Sequence, residues 1–189
     1  MAMSGGETAR TAFQSLWTMY FRRLSVFAAS YRGLPAAERD DAVSDAIIAA
    51  FGAMTSYDPR RPLSAWVYRI AANRFADTAH RASRISVAVI GVVEAPDTSD
   101  TGRTDFIAID PPAPGDHATE LVERDLVERC RSAIYALPEA DRRIAMLRFY
   151  EDLSAVEIGR TLELPAGTVR WRISTIRARI RAATGEEAP

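Results

Sequence analysis

Residues 154–180 read SAVEIGRTLELPAGTVRWRISTIRARI, and this stretch sets the architecture of the C-terminal half. Ser154 and Glu157 have the spacing of a capping box, which predicts a short helix that begins just after Ser154. The connecting turn at 163–165 ends with Pro165, and a final helix is expected from about Ala166 to Ala183. Two helices joined by a tight turn of this length predict a helix-turn-helix.

The final helix is predicted to have an apolar side and a cationic side. Four residues at helical spacing are expected to pack inward: Val169, Ile173, Ile176 and Ile180. Between Pro165 and Thr184 the chain has five arginines and no acidic residue. Such a run is costly to leave without a partner, and the phosphates of a DNA duplex would supply one. The alternative is a solvated basic helix that binds nothing.

Other segments of the chain have helical periodicity as well. Two helices are predicted before the helix-turn-helix, over Leu121–Ala136 and from Pro138 to about Tyr150. In the N-terminal half, apolar residues recur every three or four positions in three segments: Phe13–Tyr31, Glu38–Met54 and Leu63–Arg84. The sequence therefore predicts an all-α fold with two small domains, a helical bundle over 10–84 and a helix-turn-helix domain over 123–184.

Residues 85–122 differ in composition from both flanking halves. Residues 85–123 carry a net charge of −7, whereas residues 1–84 carry +4 and residues 124–189 carry +2. This acidic, proline-rich composition buries little apolar surface, so we predict a flexible linker. Its apolar runs VAVIGVV and FIAI are either brief strands or segments that dock elsewhere. Two basic ends around an acidic middle indicate two modules that share a polyanionic partner.

The second predicted helix places an isoleucine between two carboxylates. At about 100° per residue, Asp41 and Asp45 fall opposite the apolar face, with Ile48 between them. One interpretation is a stray exposed apolar residue, which is common on protein surfaces. The other is a docking surface, in which an apolar anchor with an acidic rim binds a basic partner.

The third predicted helix has a polar stripe formed by Arg69, Asn73, Ala76 and His80. Asn73 is either a solvated amide or a base-reading group, because an amide both donates to and accepts from a base edge. Aromatic residues alternate with arginines near this helix, a mixture that suits single-stranded nucleic acid, although core packing explains most such rings. They are Tyr57, Arg60, Arg61, Trp66, Tyr68, Arg74 and Phe75.

Composition excludes several classes of protein. The lone cysteine, Cys130, is expected to be a small buried residue and rules out a disulfide framework. The only two histidines are far apart, and the sequence has no glycine-rich phosphate loop, so we predict no metal, no cofactor and no enzymatic activity. No run of 18 apolar residues and no signal peptide is found, so we expect no membrane insertion and a cytoplasmic location.

Three segments of the chain, in order, are similar to one known family. They are DDAVSDAIIAAF at 40–51, PLSAWVYRIAANRFADTAHR at 62–81 and ALPEADRRIAMLRFYEDLSAVEIGRTLELPAGTVRWRISTIRARIR at 136–181. The chain resembles the bacterial extracytoplasmic-function (ECF) sigma factors of the sigma-70 superfamily. The segments match regions 2.2, 2.3–2.4 and 4 of that family, respectively.

The resemblance implies roles for particular residues. Region 2.2 of the family binds the β′ clamp of core RNA polymerase, which implies that surface for Asp41, Asp45 and Ile48. Regions 2.3–2.4 melt the −10 element and capture an extruded base, which implies Asn73 as the base reader. The residues implied beside that strand are Tyr57, Arg60, Arg61, Arg69, Arg74 and His80. Region 4 meets the β flap and the −35 duplex, and the residues implied for the major groove are Thr168, Arg170, Trp171, Arg172, Thr175 and Arg177.

The resemblance as a whole implies an alternative sigma factor without enzymatic activity, located on the nucleoid when active. Its implied partners are core RNA polymerase, promoter DNA and a separate anti-sigma factor. Ala42, Ser44 and Trp171 depart from the residues usual in the family, and Trp171 is read either as an unusual −35 contact or as an anti-sigma contact. The rival interpretation is a stand-alone helix-turn-helix regulator, which leaves the surface around Ile48 unexplained.

Overall fold

The computed structural model describes residues 3–89 and 117–185, with side chains described over 7–84 and 126–185. Within those ranges the chain forms helices and no strand, which confirms the predicted all-α class. The α-helices are α1 Met3–Ala28, α2 Arg39–Gly52, α3 Leu63–Val89, α4 His117–Tyr135, α5 Glu139–Phe149, α6 Ala155–Leu162 and α7 Ala166–Thr184. Single turns of 3-10 helix lie at Ala36–Glu38 and Met54–Ser56.

The N-terminal half is a bundle in which α2 packs against both α1 and α3. Its core is aromatic: the ring of Phe27 lies 5.0 Å from that of Tyr68 and 6.1 Å from that of Phe75, between ring centroids. Both partner rings are buried, and so is Trp66. The alternation of aromatic residues with arginines therefore results from core packing. Trp66, Tyr68 and Phe75 are buried and are not available to stack on bases.

The C-terminal half is built around α7, which contacts α4, α5 and α6. Val169 and Ile176 are fully buried, Ile173 is buried at the edge of the same core, and Ile180 is partly buried against it. The inward stripe predicted for the final helix is thus confirmed. The arginines of α7 flank this buried stripe, and Trp171 lies opposite it.

The turn of the helix-turn-helix is held by local hydrogen bonds. The Ser154 and Glu157 side chains form the predicted capping box, with donor–acceptor distances of 3.3 and 2.7 Å. Glu163 ends α6 in the left-handed region, with φ of 56°, and the Leu164 N–H donates to the carbonyl oxygen of Gly159. A Cβ added at Gly159 would lie 2.6 Å from the Leu164 carbonyl oxygen, so only glycine fits this tight approach.

Several helix ends differ from the prediction. Helix α1 begins at Met3, ten residues before the predicted start, and α3 continues five residues past Arg84 to Val89. Helix α4 begins at His117, ahead of Leu121. Isoleucine and valine lower helix propensity only slightly, so the run at 85–89 does not stop α3 as a glycine or proline would. Residues 87–89 are therefore helical, neither strand nor linker.

The rest of the linker prediction, over 90–116, lies outside the described residues. The domain limits at 10–84 and 123–184 stay predictions. Cys130 is half-buried, less than its predicted full burial. Within the described ranges, no helix combines the length and hydrophobicity that a bilayer crossing requires.

The two halves touch each other. Helix α3 packs against α6, and the Thr161 hydroxyl donates to the Ala65 carbonyl oxygen at 3.3 Å. The turn between α5 and α6 reaches α1 and α3, where Glu151 pairs with Arg23. The compact arrangement brings the polar side of α3 next to the helix-turn-helix.

The close approach at Gly159 gives the first prediction. Gly159→Ala should lower the free energy of unfolding by about 1–3 kcal/mol, because the new methyl group collides with the Leu164 carbonyl. Gly167→Ala is the matched control: nothing lies within 4 Å of its Cβ. It should raise stability by up to about 1 kcal/mol, as expected for glycine replacement inside a helix. Urea denaturation of both variants measures this, and equal effects would contradict the tight turn.

Candidate functional site

The first candidate surface lies on α2 and consists of Asp41, Asp45 and Ile48; we call it the α2 acidic surface. All three side chains are exposed, and Ile48 keeps 55% of its area accessible. Neither carboxylate has a hydrogen bond or ion pair with another described residue. Asp41 lies in the first turn of α2, where the helix dipole stabilises an anion. Asp45 lies beyond the first turn, so the dipole does not account for its charge. An exposed apolar side chain between unpaired carboxylates fits a basic partner with an apolar contact point.

Two residues of the segment that resembles region 2.2, Ala42 and Ser44, depart from the usual pattern. Ala42 is buried, and the Ser44 hydroxyl donates to the Asp40 carbonyl oxygen at 2.7 Å. Ala42 therefore packs in the bundle. Ser44 is half-buried and lies three and four positions from Asp41 and Ile48, so it borders the α2 acidic surface.

The second candidate surface runs along α3. Arg69, Asn73 and His80 are exposed on the side of the helix opposite Val67 and Ala71, which are buried. Arg74 is exposed as well, but it lies nearer the buried side, seven positions after Val67. A groove of about 410 Å³ continues the surface and is lined by Arg74, Asp77, His80, Arg81 and Arg84. Three guanidinium groups against one carboxylate make this groove cationic, which suits the phosphates of a nucleic-acid strand.

The loop at 57–61 is ordered by its own side chains. Asp58 accepts hydrogen bonds from the backbone and the guanidinium of Arg60, and it lies 3.7 Å from Arg61. These hydrogen bonds hold the pKa of Asp58 below its ordinary value, so the carboxylate stays charged. The Tyr57 hydroxyl donates to the Arg61 carbonyl oxygen at 2.7 Å. Both arginines remain exposed at the start of α3.

The third candidate surface is the solvent side of α7. Arg170 and Arg177 are exposed without a partner among the described residues, and Trp171 keeps 68% of its area accessible. Thr168 and Thr175 are half-buried, and the Thr175 hydroxyl donates to the Trp171 carbonyl oxygen. The first turn of α7 has no acidic residue, so its free N–H groups add to the positive potential.

Arg172 differs from its neighbours on α7. Its Nη1 donates to Asp141 Oδ1 at 3.0 Å, and Arg179 lies 3.6 Å from the other oxygen of the same carboxylate. The Arg172 Nε atom is buried without a hydrogen-bond partner among the described residues. The guanidinium is thus tied to α5, and a DNA contact by Arg172 would compete with this ion pair.

The structure therefore gathers the predicted residues into three separate surfaces, on α2, α3 and α7. Sequence reasoning missed Asp141, which anchors Arg172, and Glu151, which joins the two halves. Asp141 follows a helix-starting proline like any first-turn carboxylate, and Glu151 precedes a turn. Neither has a local signal, because each partner lies at least 31 positions away. Within the described residues no group of His, Cys, Asp and Glu side chains is arranged to hold a metal ion.

Comparison with protein families gives two matches that divide the chain as the helices do. The family described as Sigma-70 region 2 matches residues 16–85, which span α1 to α3. The family described as Sigma-70, region 4 matches residues 133–182, from the end of α4 to α7. All three candidate surfaces lie inside these matches.

Individual relatives agree with the family matches. The RNA polymerase sigma factor CnrH of Cupriavidus metallidurans is 28% identical over 96% of this chain and 91% of its own length. The ECF RNA polymerase sigma factor SigW of Bacillus subtilis is 31% identical over 76% of this chain and 74% of its own length.

Solved structures share the fold. The sigma factor RpoE in complex with the anti-sigma factor NepR, from Bartonella quintana, superposes with a TM-score of 0.61 at 19% identity, over 94% of this chain and 99% of that one. CnrH in complex with the cytosolic domain of CnrY superposes with a TM-score of 0.53 at 24% identity, over 95% of this chain and 91% of that one.

The Arg172–Asp141 pair separates a structural from a surface role on α7. Arg172→Ala should lower the free energy of unfolding by about 1–2 kcal/mol, because it leaves the half-buried Asp141 carboxylate with only the longer contact to Arg179. Arg170→Ala removes an exposed, unpaired arginine two positions away and should stay within about 0.5 kcal/mol of the parent chain. Chemical denaturation of both variants is the measurement. Equal stability of the two would mean that Arg172 is free on the surface.

Proposed function

The chain belongs to the sigma-70 family, in the ECF class of RNA polymerase sigma factors, and we propose that its three surfaces divide the work of promoter recognition. In this proposal α2 binds core RNA polymerase, α3 engages the −10 element and α7 reads the −35 element. The observation that carries it is the coincidence of each family match with a helical unit that displays an unpaired charged surface. No step in this function forms or breaks a covalent bond in the protein.

The α7 surface suits duplex DNA. A helix that buries its apolar stripe and displays Arg170, Trp171 and Arg177 can enter the major groove from the side of its N-terminus. Exposed arginines bind phosphates and guanine edges, and Thr168 and Thr175 are short enough for close approach. Arg172 joins this set only when it exchanges Asp141 for a phosphate. Trp171, the large hydrophobic side chain that α7 exposes, provides a contact to a thymine methyl or to a protein partner.

The α3 surface suits a separated strand. Asn73 offers both a donor and an acceptor at the exposed side of the helix, while Arg69, Arg74 and His80 line the path of the backbone. The loop at 57–61 presents Arg60 and Arg61 beside the start of α3. Extruding a base costs a few kcal/mol of stacking, which contacts with the pocketed base offset. With the core rings committed to packing, hydrogen bonds and phosphate contacts carry this binding.

The α2 acidic surface suits core RNA polymerase. In the family this helix meets the β′ clamp, and here Asp41, Asp45 and Ile48 offer that clamp two unpaired carboxylates and one apolar contact. We assign the β flap to the C-terminal half in the same way. Core polymerase then sets the distance between α3 and α7, because neither half determines the spacing of −10 and −35 elements on its own.

Regulation and location follow from the family. The structure of RpoE with NepR contains an anti-sigma factor, and we propose that a separate anti-sigma partner controls this chain too. We propose that it acts in the cytoplasm, on the nucleoid, where promoter DNA and core polymerase meet. A stand-alone helix-turn-helix regulator is the weaker candidate, since it uses α7 and leaves the α2 acidic surface and the region 2 match without a role.

The central experiment is run-off transcription with core polymerase and genomic promoter fragments. The chain should direct initiation at a subset of promoters, whereas the isolated chain should bind the same fragments weakly in a gel-shift assay. Tight, specific binding without core polymerase, together with no transcription in its presence, would favour the stand-alone regulator.

The α2 acidic surface gives a prediction about polymerase binding. Replacing Asp41→Arg and Asp45→Arg together should weaken the Kd for core polymerase at least about 100-fold, because like charges then face each other across the interface. Both side chains are exposed and unpaired, so the chain should still fold; a small fall in melting temperature is expected because Asp41 lies in the first turn of α2, and Asp40→Arg, in the same turn, reproduces that effect. Asp40→Arg, one position away and about 100° around the helix, is the matched control and should bind core like the parent chain. Fluorescence anisotropy with labelled protein measures all three, and equal losses would remove the assignment.

The amide of Asn73 gives a prediction about base discrimination. Asn73→Ala should reduce discrimination between −10 base variants by about tenfold, the value of a paired base contact, while −35 affinity stays unchanged. Alanine is the better helix former, so folding should not suffer. Gln14→Ala, which removes the exposed amide of α1, is the control. Competition transcription on promoter variants measures the effect, and equal loss at −10 and −35 would contradict base reading by Asn73.

A further inference from the structure

We infer that the turn between α5 and α6 is a latch that docks into the N-terminal half and holds the free chain closed. The surface that receives it consists of Arg23 on α1 and Tyr20 and Tyr68 beside it; we call it the Glu151 socket. The occupant is the chain's own C-terminal half. The inference rests on the proposed function, because closure matters only if the two halves must separate on a promoter.

Glu151 is the centre of the contact. Its side chain is 3% exposed although it lies in a turn beside the exposed Asp152. The carboxylate accepts a hydrogen bond from Arg23 Nε at 2.9 Å, a second from Arg23 Nη2 and a third from the Tyr68 hydroxyl at 2.7 Å. All three donors belong to the other half of the molecule. A carboxylate buried this deeply is stable only with such partners.

The socket is built into the core of the N-terminal half. Tyr68 and Tyr20 are both buried, and the guanidinium carbon of Arg23 lies 5.5 Å from the centre of the Tyr20 ring. Burial, and then the charge of Glu151, raise the pKa of Tyr68 well above its ordinary value, so its hydroxyl keeps the proton that it donates. The socket thus presents one cation and one hydroxyl donor at fixed positions. That chemistry fits a carboxylate.

Two further contacts join the halves beside the socket. The guanidinium carbon of Arg143 lies 4.4 Å from the centre of the Tyr31 ring, and Thr161 donates to the Ala65 carbonyl oxygen. These contacts, like the one at Glu151, are polar or cationic. The buried apolar residues of both halves also form one continuous cluster, and α3 packs against α6 across the junction. The contacts of Glu151, Arg143 and Thr161 are therefore the polar part of an interface that also has apolar packing, and opening must separate both.

Closure restricts the α3 surface. A cleft of about 250 Å³ between the halves is lined by Asn73 and Ala76 on one side and by Arg143, Thr161 and Leu164 on the other. A base that reaches Asn73 in the closed chain therefore meets the helix-turn-helix. Opening the latch moves Arg143, Thr161 and Leu164 away from Asn73. It also lets α7 lie at a distance from α3 that the promoter sets.

The test compares Glu151→Gln with Asp152→Asn in the full-length chain. The first keeps the shape of the side chain and removes its charge; the second changes the adjacent residue, whose side chain is 92% exposed and pairs only with Arg148 in its own half. Dyes are attached at Gln14→Cys and Ser174→Cys, exposed sites on α1 and α7, in a Cys130→Ser background. Single-molecule energy transfer then reports the fraction of open molecules.

We expect Glu151→Gln to raise the ratio of open to closed molecules about tenfold, since a charge-assisted contact is lost, and Asp152→Asn to leave it unchanged. Arg23→Gln attacks the same contact from the other half and should give a similar ratio. The double variant should open no further than either single one, because both remove one interaction. The open variants should also bind core polymerase faster than the parent chain does.

The outcomes are distinguishable from those of the proposed function. If the parent chain fails to direct transcription, the proposed function is wrong whatever the latch does. If it directs transcription but both socket variants keep the parent ratio, the latch is wrong. If both variants lose helicity by circular dichroism as they lose compaction, the halves form one folded unit and the latch is again wrong.

Discussion

A helix presents each side chain to one direction only, and the organisation of this protein depends on that constraint. Helices α3 and α7 each give one side entirely to a core, through the ring of Phe75 in the first and the stripe from Val169 to Ile180 in the second. The arginines of both helices therefore lie beside or opposite the buried side, and most of them are exposed. Core packing and the display of positive charge are thus two results of one periodicity.

Acidic residues do three different jobs, and their surroundings decide which. Asp41 and Asp45 are exposed and unpaired, so their charge remains available to a partner. Asp141, on α5, is half-buried and pairs with Arg172 and Arg179 on α7, so it joins the two helices. Glu151 is almost fully buried, where only the guanidinium and hydroxyl of the other half make a charge tolerable. The net charge of −1 hides this division of labour.

Local features of the fold could be read from the sequence, and distant ones could not. The capping box at Ser154 and the inward stripe of α7 are patterns of neighbouring residues, and both are present as predicted. The exposure of Ile48 followed from the same angular reasoning. In contrast, the sequence did not decide whether the ring of Tyr68 packs in the core or stacks on a base. Helical periodicity groups residues by side but does not show which side another part of the chain covers. The partner of Glu151 is 128 residues away, and no spacing rule reaches that far.

Helix α6 is only eight residues long, and a residue with positive φ stands at each end, Asp152 before it and Glu163 after it. This helix, about 12 Å long, and the short segments 152–154 and 163–165 are all that separates Glu151 from the beginning of α7. Because the connection is short, a displacement of Glu151 is transmitted through α6 to the first residues of α7. If the latch operates as proposed, any interaction that removes Glu151 from the Glu151 socket also reorients α7. Opening of the chain and orientation of its DNA-binding helix are then one coupled movement.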